Sequence, residues 1–156
     1  MAKVLIPTSR GELPAYVAAP PSAGRVPGVV VLHDAAGMSQ DLRNQADWLA
    51  AAGFLAVAPD LYHPGLAFCI RTVIRDLIAH NGQTFTRLAL DGIESARAWL
   101  SLQPGCSGHV GVIGFCMGGG FALLVSSGHG FSASSINYGG QLPANSKPSS
   151  PQPAPS

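Results

Sequence analysis

Apolar residues fall along the chain in two rhythms. KVLIP (3–7) and AYVAAP (15–20) are short and flanked by polar residues, and they read as two strands of a hairpin turning around Arg10-Gly11. GVVVLH (28–33) and FLAVAP (54–59) are unbroken apolar runs, the pattern of strands covered on both faces. Between them, QDLRNQADWLAAAG places Leu42, Ala46, Leu49 and Ala50 on one helical face; Ser39 is positioned to cap its start and Gly53 to stop it. AFCIRTVIRDLIAH and FTRLALDGIESARAWLSLQ repeat the helical spacing, and Pro104-Gly105 ends the second. HVGVIG (109–114) then reads as a strand, MGGGFALLVSS as a helix and SASSINY as a last strand. Strands separated by helices imply parallel crossovers. The expected fold class is therefore α/β, a three-layer sandwich on a mostly parallel sheet. GVVVLH should lie between FLAVAP and VGVIG, with the strands after the first in the order 2-4-3-5-6.

The rhythm stops at Gln141. QLPANSKPSSPQPAPS holds five prolines, four serines and one large aliphatic residue, so it cannot bury enough surface to offset its ordering entropy. The expected organisation is one domain over residues 1–140 and a disordered Pro/Ser-rich tail over 141–156. Elsewhere 47% of the 156 residues are hydrophobic and only 11% charged, enough to build a core. The formal charge of +1, with no basic face, argues against a nucleic-acid partner. No apolar run reaches the ~18 residues of a membrane span, and MAKVLIPTSRGELP has too short an apolar patch for a signal peptide. Cys69, Cys106 and Cys116 form no CxxC pair, so a reducing, cytoplasmic setting is the default. Cys69 falls in a helical pattern and Cys106 in a loop.

Chemistry concentrates at Gly114-Phe115-Cys116-Met117-Gly118, between a strand and a helix. G-x-C-x-G in that context has the form of a nucleophile elbow with cysteine in place of serine. Side chains at the two glycines would strike the neighbouring strand and helix. The turn lifts Cys116 above the C-terminal edge of the sheet, where open α/β sheets bind ligands, and the following helix points its partial positive charge at the sulfur, favouring thiolate. A dinucleotide site would place G-x-G-x-x-G after the first strand, and a P-loop would need Gly-Lys-Ser/Thr; neither is present. LHDAAG (32–37) supplies a second loop at the same edge. An acyl-transfer site needs two backbone N–H donors for the developing oxyanion, one from the residue after the nucleophile, Met117, and one from such a loop, Ala35 or Ala36.

VVVLHDAAGM, AAGFLAVAPDLYH, IESARAWL and VGVIGFCMGGGFALL, in this order and spacing, resemble the dienelactone hydrolase (carboxymethylenebutenolidase) family, an α/β-hydrolase branch with a cysteine nucleophile. The resemblance covers roughly residues 1–140, making that stretch a partial α/β-hydrolase domain. It implies hydrolysis of a small-molecule carboxylic ester or lactone without metal or cofactor. Cys116 is then the catalytic nucleophile, and Met117 and Ala35 are the oxyanion amides. Asp34 falls where the family often has a glutamate contacting the resting thiol. The type enzyme follows PDLY with a small residue and an arginine that helps hold the substrate carboxylate, where this chain has His63-Pro64.

The family's acid and base follow the strands after INYGG, yet no Asp or Glu occurs here after Glu94 and no histidine after His129. The chain thus resembles an N-terminal portion of such an enzyme, lacking the last strands and helices. His33, Tyr62 and His63 are placed at the pocket, and His33 and His63 are the candidates for a substitute base. His129 belongs at the far end of the elbow helix, and His80 and His109 at the surface. Asp60 reads as a loop hydrogen-bonder. Two outcomes follow: a cysteine hydrolase, or a non-catalytic remnant with a reactive thiol. In either, the SASSINY strand leaves a sheet edge open to self-association.

Overall fold

A computed structural model describes residues 2–21, 24–78 and 84–139. The tail from Gln141, and His80, lie outside the described residues. The elements in chain order are β1 Ala2–Thr8, β2 Gly11–Ala18, β3 Val26–Leu32, α1 Gln40–Ala51, β4 Leu55–Pro59, α2 Leu66–Ile78, α3 Thr84–Ser101, β5 Cys106–Phe115, α4 Met117–Val125 and β6 Ala133–Asn137. They form one six-stranded sheet in the order β1-β2-β4-β3-β5-β6. β1, β2 and β4 pair antiparallel; β4 with β3, β3 with β5 and β5 with β6 pair parallel. β3 sits between β4 and β5, as the chain's continuous β-branched run predicts.

Helices cover both faces. On one, α1 buries Leu42, Ala46, Leu49 and Ala50 against Val31, Ala56 and Ala58. Its start is closed by Ser39, whose Oγ accepts from the Leu42 N–H at 3.2 Å. Its end is closed by Gly53, which takes a φ of +96° that a side chain would resist. On the other face, α3 packs Ala89, Ile93, Ala96 and Leu100 onto Val30, Leu32, Leu55 and Val57, while α4 adds Phe121, Ala122 and Val125. Burying each large aliphatic side chain stabilises by about 1.5–3 kcal/mol, so this larger cluster carries most of the cohesion.

One boundary differs from the sequence reading. Cys106 is not in a loop but opens β5, fully buried, with its carbonyl accepting from Arg25 Nε at 3.0 Å. The glycine at 108 had masked the strand's first turn of alternation. β6 ends the sheet, and Ala133 to Ile136 are exposed along it. No helix among the described residues is long and apolar enough to cross a membrane.

Candidate active site

Parallel pairing brings the C-terminal ends of β3, β4, β5 and β6 to one edge of the sheet. Leu32 lies opposite Gly114, and Phe115 opposite Asn137. The chain leaves β5 and enters α4 through a single residue, Cys116, held at φ +52° and ψ −114°. A non-glycine residue at positive φ costs on the order of 1–3 kcal/mol and persists only where its surroundings over-determine it. Those surroundings are backbone. The Cys116 N–H donates to Asn137 O at 2.9 Å, and the Gly120 N–H returns to Cys116 O at 3.1 Å. A Cβ at Gly114 would stand 2.0 Å from Gly118 O, and one at Gly118 2.5 Å from Leu32 O. The glycines two positions to either side of the cysteine let α4 start hard against the ends of β3 and β5.

The turn makes Cys116 the exposed cysteine; Cys69 and Cys106 are buried. Cys69 Sγ donates to Tyr62 O at 3.4 Å, and burial first, then the nearby Asp60 charge, pushes its thiol pKa up. Brief iodoacetamide treatment at neutral pH is therefore expected to label Cys116 well ahead of the other two, read by mass mapping. Faster labelling of Cys69 or Cys106 would contradict this geometry.

The loop after β3 faces the cysteine turn, because the Leu32 and His33 carbonyls abut Gly118. Residues 34–37 make a tight turn closed by the Gly37 N–H donating to Asp34 O at 3.1 Å. Asp34 Oδ1 accepts from the Ala36 N–H at 2.8 Å. That bond separates the two alanines left open by the sequence: the Ala36 amide is occupied, while among the described residues the Ala35 and Met117 N–H groups have no hydrogen-bond partner. The Asp34 carboxylate is used on its own loop and makes no hydrogen bond to Cys116 Sγ among the described residues.

The matching family model, described as the dienelactone hydrolase family, spans residues 13–155. The chain belongs to the dienelactone hydrolase family. A carboxymethylenebutenolidase from a Pseudomonas species is 33% identical over 126 residues, which cover 77% of this chain and 52% of that protein. One from Pseudomonas putida is 31% identical over 125 residues, again covering 77% and 52%. A Klebsiella pneumoniae structure assigned to dienelactone hydrolase superposes with a TM-score of 0.72 at 27% identity, over 88% of this chain and 59% of that one. The chain thus spans about half the length of the curated relatives it matches.

Within this family frame the candidate histidines separate. His33 is completely buried beneath the loops. Its Nδ1 donates to Asp34 O at 2.7 Å and its Nε2 accepts from the Leu61 N–H at 3.1 Å, so neither nitrogen is left for a substrate or water. Tyr62 lies over it, ring centroids 4.7 Å apart, and donates its hydroxyl to Ala35 O at 3.1 Å. Burial foremost, then the Cys69, Asp34 and Cys116 charges, raises the Tyr62 pKa and keeps it a phenol donor. His63 turns to a cavity of about 300 Å³ between the β1–β2 turn, α2 and α3, lined also by Arg10, Leu13, Phe68, Cys69 and Leu88. His129 pairs with Glu94 beyond the C-terminal end of α4, and His109 is exposed in β5. Asp60 holds its own loop, Oδ1 accepting from the Tyr62 N–H at 3.1 Å. Sequence reasoning had no signal for Leu61 or Asn137 as partners of the site, since both act through main-chain groups.

Proposed function

We propose that the chain carries the acylating half of a cysteine-dependent carboxylic-ester or lactone hydrolase. The observation that carries this is Cys116: an exposed thiol in a strained conformation at the tip of a strand–helix turn, in a chain of a hydrolase family. Its thiolate attacks the carbonyl carbon of a small-molecule ester or lactone. The carbonyl oxygen becomes an oxyanion received by the Ala35 and Met117 N–H groups, whose dipoles are preorganised and need not reorient as charge develops. Collapse of the intermediate breaks the bond to the leaving oxygen and gives a thioester on Cys116. Asp34 serves as the acid that shapes this loop, and Tyr62 borders the approach. The chemistry draws on the thiolate and main-chain dipoles, with no metal or cofactor. Intact mass after incubation with an activated aryl ester tests the reading: one acyl group should appear on wild-type protein and none on Cys116→Ala. Acylation of the variant would remove Cys116 from the role.

We also propose that a second copy of the chain pairs along the outer side of β6, which ends the sheet among the described residues and exposes residues 133–136. Sedimentation velocity at several concentrations should show a concentration-dependent dimer or larger species. A monomer throughout would mean the edge is closed.

A further inference from the structure

His33 is the only polar or charged residue in the core formed by the described residues. A buried imidazole must have both nitrogens satisfied, and its two partners dictate how. Asp34 O only accepts, so Nδ1 carries the proton. The Leu61 N–H only donates, so Nε2 is bare. The ring is therefore neutral, in one tautomer, and it ties the loop after β3 to the loop after β4.

We propose that His33 is a positioning residue that aims the Ala35 N–H at the reacting carbonyl by holding the Asp34–Ala35 peptide plane. This rests on the reading of Cys116 as nucleophile and of the Ala35 N–H as oxyanion donor. The Asp34 C=O and the Ala35 N–H belong to one planar trans peptide unit and point in opposite directions. Asp34 O receives two donors, His33 Nδ1–H and the Gly37 N–H, which fix that plane. Fixing where the carbonyl points fixes where the amide points. Tyr62 secures the next peptide by donating to Ala35 O, and its own ring rests on His33. The device fails when the ring takes a second proton, because Nε2–H would then face the Leu61 N–H.

The groups that face the imidazole set when that happens. Burial lowers its pKa and dominates; the bond to Asp34 O and the Asp60 and Asp34 carboxylates raise it. Tyr62 stays neutral, and α4 has no charged residue. The protonated form is thus confined to pH below the ordinary histidine value of 6.5.

Two reactions of one sulfur test this. Acylation by an aryl ester uses the oxyanion amides; alkylation by iodoacetamide, in which the thiolate displaces iodide, does not. Both need the thiolate, so its titration cancels in their ratio. His33→Ala is expected to lower the acylation-to-alkylation ratio about 10- to 100-fold, the scale of a misplaced catalytic group, with alkylation changed by less than about twofold. In wild type the ratio should fall on acidification below 6.5. His33→Gln, whose amide oxygen can still accept from Leu61 and which does not titrate, should recover part of the ratio and show no acid limb. An unchanged ratio in His33→Ala, or the same acid limb in wild type and His33→Gln, overturns the proposal. If His33→Ala does not fold, the His33→Gln pH comparison decides alone. Acylation that requires Cys116 but ignores His33 overturns this inference only; no acylation of wild type overturns the nucleophile reading as well.

Discussion

Mixed with an aryl ester, the 156-residue chain is expected to release one equivalent of phenolate and then stall as a thioester. The two halves of ester hydrolysis make different demands. Acylation needs a thiolate and oxyanion donors, and a phenolate departs without a general acid. Deacylation needs a base to activate water, a contribution of roughly 10²- to 10⁴-fold. Among the described histidines, His33 has both nitrogens engaged, His63 lines the cavity under the β1–β2 turn, His129 is paired with Glu94 and His109 is exposed in β5. None is hydrogen-bonded to Cys116 Sγ. Absorbance of released phenolate under rapid mixing should show the burst, and intact mass the persisting acyl group. Hydroxylamine, a nucleophile that cleaves a thioester without a general base, should restore turnover in wild type beyond its direct reaction with the ester, measured with Cys116→Ala. Sustained turnover in water that survives both His33→Ala and His63→Ala would show that this account of deacylation is wrong.

Legibility of the fold followed the scale of the cause. α1 was readable residue by residue because capping by Ser39, the Leu42–Leu49 face and the Gly53 stop are local. The place of β3 in the sheet was readable because only a strand covered on both faces tolerates an unbroken apolar run. Cys106 was misjudged because nearby Gly108 breaks the strand pattern, while burial of the strand's start depends on packing across the sheet. At the site, Cys116 and its glycines announced themselves through steric need within five residues. The fate of His33 did not. A histidine at a strand end reads first as a structural group and second as a substitute base, and the choice depends on Leu61, which lies 28 positions away and acts through its amide. Residue type and loop position left Ala35 and Ala36 equivalent, and only the family resemblance pointed to Ala35; in the structure Asp34 occupies the Ala36 amide.

Replacing Gly118 by alanine should cost more stability than any other single-methylene change to this edge except Gly114→Ala. Two terms oppose each other. Alanine is the better helix former, and at the second position of α4 it gains at most about 1 kcal/mol over glycine. Against that, its Cβ would stand 2.5 Å from Leu32 O, 2.6 Å from His33 O and 2.8 Å from Leu32 C, distances that real Cβ atoms do not adopt. All three atoms are backbone, so no rotamer change relieves the contact. Either α4 lifts off the end of β3, stripping cover from Phe121 and Ala122, or β3 shifts against β5. Overpacking relieved by side-chain adjustment costs about 1–3 kcal/mol, and a clash with fixed main chain belongs at or above the top of that range. The clash therefore wins, with a net stability loss of about 3 kcal/mol expected, read as a lower urea unfolding midpoint at unchanged slope. Lifting α4 also carries the Met117 N–H away from the Ala35 N–H, so acylation of Cys116 should fall further than alkylation. Gly24→Ala, where a Cβ meets nothing within 4 Å, is the control and should be near neutral. If the two variants unfold at the same urea concentration, α4 does not begin against the β3 carbonyls, and Cys116 does not owe its strained conformation to that contact.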